Sequence, residues 1–166
     1  MPHAEGPPLA HTGGFGEPTC HTCHNELELN GEGSGRLGLE GLPERYEPGK
    51  PYLLTVILAS EGMERAGFEA SFRFADSPPP GLQAGSLAAV DERAHVSHLG
   101  LTPVYYVRQT QAGSDGGAVV SWSFTWTAPA SGDPVAIHVA ANSANGDNSP
   151  LGDFVLTWSG TLESTG

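Results

Sequence analysis

Val120-Ser121-Trp122-Ser123-Phe124-Thr125-Trp126 is the stretch that decides the fold. Large apolar side chains alternate with small hydroxyl ones. In an extended chain, successive side chains point to opposite faces, so Val120, Trp122, Phe124 and Trp126 share one face. Four large residues on one face mean packing against a core. The same period of two recurs on both sides. Phe68, Ala70, Phe72 and Phe74 alternate with Glu69, Ser71 and Arg73. Val135, Ile137 and Val139 alternate with Ala136, His138 and Ala140. Tyr52 to Leu58 is rich in strand formers, and Phe154, Leu156 and Trp158 form a last strand.

Turn-forming clusters separate these runs: Ser77 to Gly81, Gly113 to Gly117, Ala128 to Pro134 and Asn142 to Gly152. No stretch carries a convincing helical period. Short strands with regular turns and no helices predict an all-β sandwich or barrel over residues 46–166. Residues 1–45 are different. They are rich in Gly and Pro, with at most short strands at Glu26–Asn30 and Arg36–Leu39. An irregular segment of this kind is expected to be ordered by something other than its own core.

Composition sets limits. The chain has 166 residues, long enough to bury a core without disulfides. Its net charge is -12, from 19 acidic and 7 basic residues, which argues against a nucleic-acid partner. An acidic surface of this kind suits a basic protein partner, or simply solubility. No apolar run reaches the length of a transmembrane helix, so no transmembrane segment is expected. Met1-Pro2-His3 opens no visible signal peptide.

Within the irregular segment lies Cys20-His21-Thr22-Cys23-His24. C-x-x-C-H is the attachment pattern of a c-type haem: two thiols add to the vinyl groups, and the adjacent imidazole binds iron. The chain has two cysteines, and both are in this motif. The same residues could instead form a local disulfide, or a zinc site completed by a distant ligand. A thioredoxin-like motif would want a βαβ setting, which the strand pattern does not offer. One covalent haem c, held by Cys20, Cys23 and His24, is the reading the motif favours. Such a protein would have been exported and trimmed, because this haem is attached outside the cytoplasm. It would act as a monohaem electron carrier with a redox partner protein, in the periplasm or outside the cell.

The strand region resembles Reelin-type (Reeler) domains. Tyr46-Glu47-Pro48-Gly49-Lys50-Pro51-Tyr52, Ala66-Gly67-Phe68-Glu69-Ala70, Val96-Ser97-His98, Trp122 to Pro129, Asn142 to Asp147 and Gly152-Asp153 carry the likeness in order. Gly16 to His24 resembles the C-x-x-C-H segment that precedes this domain in the bacterial choice-of-anchor V group. The resemblance implies an immunoglobulin-like β-sandwich outside the cytoplasm. It also allows a binding or adhesion module with no redox role.

A second axial ligand would come from the sandwich. The resemblance makes His98 the first candidate, giving bis-histidine ligation with His24. His95 lies three residues before it, so the two face opposite sides of a strand. Met63, in the polar turn Glu61 to Arg65, reads as an exposed thioether and is an alternative, followed by His11, His21, His3 and His138. The loop bearing Asn142, Asn145, Asp147, Asn148 and Asp153 is dense in oxygen donors for calcium, but its composition is also that of a tight loop. No nucleophile elbow or phosphate loop occurs, and Glu26 with Glu28 reads as a solvated strand face. No enzymatic activity is expected.

Overall fold

The computed structural model describes residues 8–20, 30, 35–98, 100–145 and 153–166. Nine strands run through them: β1 (Arg36–Glu40), β2 (Pro51–Ala59), β3 (Arg65–Phe74), β4 (Ser86–Ala89), β5 (Ala94–His98), β6 (Tyr105–Gln109), β7 (Val119–Thr127), β8 (Val135–Ala144) and β9 (Phe154–Leu162). They form two antiparallel sheets, one ordered β1-β2-β7-β4 and the other β5-β6-β3-β8-β9. The expected sandwich is present. β1 falls in the Gly-rich segment, yet it pairs with β2 along its whole length, and Leu37 and Leu39 pack on the core.

The alternation seen in the sequence builds the interior. Leu54, Val56 and Leu58 of β2 and Trp122, Phe124 and Trp126 of β7 face Phe68, Ala70 and Phe72 of β3 and Val135, Ile137 and Val139 of β8. Phe68 stacks on Trp122 with ring centres 4.6 Å apart, and Phe72 on Trp126 at 5.1 Å. A buried indole must also place its N–H. Trp122 donates to the Gly113 carbonyl at 2.8 Å and Trp126 to the Ala84 carbonyl at 3.0 Å. These two bonds tie the β7 face to the loops that flank β4 and β6.

Gly85 closes the turn into β4 with φ +76°, and a Cβ there would stand 2.1 Å from the Thr127 carbonyl oxygen. Only glycine satisfies both demands. Tyr46, fully buried, donates its hydroxyl to the Asp133 carbonyl and anchors the entry to the sandwich beside its C-terminal residues.

β3 is central in its sheet and buried on both faces. Its inner residues meet the core. Its outer residues, Glu69 and Ser71, are as completely buried as Phe68, because something other than solvent covers them.

Candidate functional site: the N-terminal arm on the five-stranded sheet

The cover is the N-terminal arm, residues 8–20. It folds into a small loop closed by the Thr12–Thr19 bridge and by Gly13 N–H to the Pro18 carbonyl at 2.9 Å. Gly13 and Gly16 have φ of +82° and +81°, which lets the chain turn within so few residues.

Glu17 fastens the arm to the sheet. It takes the Arg73 guanidinium of β3 on Oε1 at 2.6 Å, and the Tyr106 hydroxyl of β6 donates to the same oxygen. Thr12 donates its hydroxyl to Oε2 at 2.6 Å. Arg73 also stacks under the Phe15 ring, its guanidinium carbon 4.5 Å from the ring centre. Burial and the bond to Glu17 hold the Tyr106 phenol well above its ordinary pKa.

Glu69 is the second anchor. Its Oε1 accepts the His11 backbone N–H at 2.8 Å, while Oε2 is buried without a partner. Burial pushes this carboxyl up to about 8 from an ordinary 4.5; the nearby Glu17 adds to the rise, and the His11 N–H and Arg108 oppose it. At neutral pH the group is therefore mostly a neutral acid.

Cys20 ends the described part of the arm. It is 8% exposed and packs against Ala140 of β8 and Val155 of β9. His21, Cys23 and His24 lie outside the described residues. The next described residue, Asn30, bonds to β9. Asn30 N–H donates to the Val155 carbonyl at 2.8 Å, its Nδ2 donates to Thr157 Oγ1 at 2.7 Å, and its Oδ1 accepts Thr157 N–H at 2.7 Å. Both ends of the segment that carries the cysteine motif are thus anchored at the Val155–Thr157 level of β9.

Beside these anchors is a cavity of about 240 Å³ lined by Thr12, Gly13, Thr19, His138, Thr157, Trp158 and Ser159. His138 sits on the outer face of β8, opposite Ser159. Gly14 lies so close to its ring that a Cβ there would come within 2.5 Å of Cγ and Nδ1. Phe15 meets the ring edge-on at 5.6 Å. Nδ1 is buried without a hydrogen-bond partner. Burial lowers the pKa of His138, with Arg73 acting the same way and Glu17 against, so the ring is neutral.

The other candidate ligands are placed elsewhere. His98 is exposed at the end of β5 and leans on Tyr105 at 5.1 Å. β5 is three strand spacings from β8, about 14 Å at the usual separation. His95 is on the arm's face of β5, and its Nε2 accepts from Arg108 Nε at 3.0 Å. Met63 is not exposed in its turn: it is 4% exposed and belongs to the hydrophobic core. The polar neighbours that made it read as a surface residue point away, while the unbranched thioether fills the end of the sandwich. His11 uses Nδ1 on the Leu9 carbonyl at 2.9 Å, and His3 lies outside the described residues.

In the oxygen-rich loop, Asp153 is fully buried and accepts the Asn145 N–H at 3.1 Å, so it braces the backbone; Asp147 and Asn148 lie outside the described residues. Among the described residues, no group of three or more His, Cys, Asp or Glu side chains is placed to hold a metal ion. One feature of the described residues fits a haem carried by the arm: the Cys20 thiol of the motif rests on apolar Ala140 and Val155.

The chain matches no protein-family model and no curated protein sequence. Solved structures do share its fold. The Reeler domain of human F-spondin is 19% identical and superposes with a TM-score of 0.55, over 84% of this chain and 96% of that one. The chain has a Reeler-like fold. A second structure, of the Reelin-N domain of F-spondin, gives 0.54 at 19% identity over 88% of this chain and 97% of that one. A macrocyclisation catalyst of alchivemycin A biosynthesis, AvmM, gives 0.50 at 11% identity over 83% and 91%. One architecture thus serves proteins of different kinds, so function has to be argued from the site.

The sequence did not single out Glu17, Glu69 or Arg73 as functional. Glu69 alternates with Phe68 and Ala70, which assigns it to the other face of the strand and says nothing of what covers that face.

Proposed function

We propose that this Reeler-like module is an extracytoplasmic monohaem c-type electron carrier, or the electron-transfer subunit of a larger assembly. Cys20 and Cys23 would hold the haem through thioethers and His24 would bind the iron. When bound, the haem supplies one-electron chemistry. The chain's own part is to position it, and the observation that carries the reading is the double anchoring of the motif segment. Cys20 on Ala140 and Val155, and Asn30 on Val155 and Thr157, fix both ends on a rigid sheet.

The likeness of Gly16 to His24 to the leading segment of the choice-of-anchor V group supports the same reading. An acidic chain of net charge -12 suits docking to a basic redox partner. The periplasm or cell exterior is where such a haem is attached. No substrate chemistry is assigned to the chain.

The second reading is a Reeler-like binding module without a redox role, favoured by the F-spondin neighbours. Export of the chain with haem-maturation machinery separates the two. A carrier emerges with haem that survives denaturation; a plain binding module emerges colourless.

A further inference from the structure

We propose that the free edge of β9 at Ser159–Thr161 docks a short extended peptide that carries an apolar side chain between basic residues. The site is independent of the haem. β9 is the outermost strand of its sheet and pairs with β8 on one side. Every second residue of such a strand turns its backbone N–H and C=O to the open side. Two points on that side are already taken in the manner of a strand partner. Asn30 bonds the Val155 carbonyl and the Thr157 N–H. Tyr46 bonds the Glu163 carbonyl at 3.0 Å and the Thr165 N–H at 2.8 Å. Ser159 and Thr161 lie between them in the same alternation, so their backbone groups point out of the same edge, and no described residue bonds them. From Thr157 to Glu163 the open edge runs about 20 Å, room for an added strand of about five residues.

Edges of sheets are ordinarily defended by charge, by proline or by shortness. β9 has none of these: its nine residues include no charged side chain and no proline. β1 carries Arg36 and Glu40, and β4 and β5 are four and five residues long. A cavity of about 190 Å³ opens beside the gap, walled by Leu42, Pro43, Ile137, Trp158, Gly160 and Leu162. Trp158, Gly160 and Leu162 pair with core residues of β8, so the cavity lies on the side where alternate residues of an added strand place their side chains. An apolar cavity of about 150 Å³ holds a benzene, so this one takes a single branched aliphatic or aromatic side chain. Gly160 shapes the wall: a Cβ there would stand 2.9 Å from Trp158 Cη2, and its absence lets the indole lie along the strand. The rim sets the partner's charge. Glu44 and Glu163 adjoin Pro43 and Leu162 in the chain, Glu40 is two residues before Leu42, and all three are exposed. Arg45, the one cation among them, donates to the Ser164 carbonyl at 3.1 Å. A basic peptide is thus favoured, and a second copy, which would bring the same acids and the same net charge of -12, is disfavoured.

The test uses the full chain, isotopically labelled for amide NMR. The probe is a synthetic seven-residue peptide that alternates valine and threonine between terminal lysines, added to about 2 mM, the weak end of specific binding. Amide shifts and slowed hydrogen exchange are expected at Ser159 and Thr161, with β3 and β7 unchanged and with weaker binding at high salt. The same peptide N-methylated on the amides that face β9 should bind about tenfold more weakly. So should wild-type peptide to Thr161→Pro, which removes an edge donor that β8 does not use. Should Thr161→Pro fail to fold, the N-methylated peptide on wild type decides. No response at Ser159 and Thr161, or equal binding of the N-methylated peptide, overturns the site. Tighter binding of a glutamate-flanked peptide overturns the assigned partner. Protection of Ser159 and Thr161 that rises with protein concentration in the absence of peptide makes a second copy the occupant and overturns it too.

Discussion

Glu17 of the arm and Arg73 of β3 form an ion pair at 2.6 Å, with side chains only 12% and 14% exposed. An isolated surface pair contributes little, but a shielded pair with further hydrogen bonds is costly to break from one side. Here Thr12 and Tyr106 complete the carboxylate's partners. The pair is the arm's main polar attachment to the sandwich, and it sits within a few residues of the cysteine motif.

Replacing Glu17 by Ala should therefore free the arm while leaving the sandwich folded. Breaking a buried pair costs about 3–5 kcal/mol, and lifting the arm lets Arg73 regain water and limits the loss. Hydrogen exchange at the Gly13 and Glu17 amides, which bond the Pro18 and Gly14 carbonyls, is the readout. Their exchange should rise by about two orders of magnitude, the equivalent of roughly 3 kcal/mol, with amides of β3 and β7 unchanged. Equal protection in the variant would show that the arm is held by other contacts.

Glu69 makes docking of the arm pH-dependent. Its folded pKa of about 8 lies above the ordinary 4.5, so the folded protein holds a proton that the unfolded chain releases. Stability contributed at this site is full below about pH 4.5, falls as pH rises, and is flat beyond about pH 8, with a slope of up to about 1.4 kcal/mol per pH unit. His138 and His95, whose pKa values are lowered by burial, act oppositely: their contribution grows as pH rises toward the ordinary histidine value of 6.5. Comparing wild type with Glu69→Gln isolates the carboxyl. The amide keeps an acceptor for His11 N–H and cannot ionise, so the variant should gain on wild type between pH 5 and 8 in denaturant melts. Parallel pH profiles would rule out a protonated Glu69.

Packing makes a sharper demand. Phe68 lies between the two sheets on Trp122, fully buried. Phe68→Ala should cost about 3–5 kcal/mol, whereas Leu53→Ala, on an exposed face at 62%, should change stability by less than about 0.5 kcal/mol. Urea unfolding of both variants checks the contrast.

These sites differ in how far the sequence exposes them. Trp122, Phe124 and Trp126 announce the core through alternation alone, because one face of β7 has no cover other than the opposite sheet. β4, β5 and β6 are four or five residues long and carry mixed side chains, so periodicity hardly marks them. The polar face of β3 is the deeper failure. Alternation says which residues share a face, and nothing about what lies on it. That Glu69, Ser71 and Arg73 sit under the arm depends on Glu17, 56 residues before Arg73, folding back across the sheet. Met63 misled for the same reason: its polar neighbours in sequence are not its neighbours in space. Cys20 to His24 was legible at once as chemistry, whereas the placement of Cys20 on β8 and β9, with His138 beside it, required the fold.

A haem bound covalently through Cys20 and Cys23 would be what makes this chain an electron carrier. The direct measurement is mass spectrometry of the tryptic peptide ending at Arg36, taken from chain exported in a host with haem-maturation machinery. This peptide is expected to carry the added mass of one haem, and the Soret absorption to persist in denaturant. A peptide of unmodified mass, or one lighter only by the two hydrogens of a disulfide, from a host that matures a control cytochrome would contradict it.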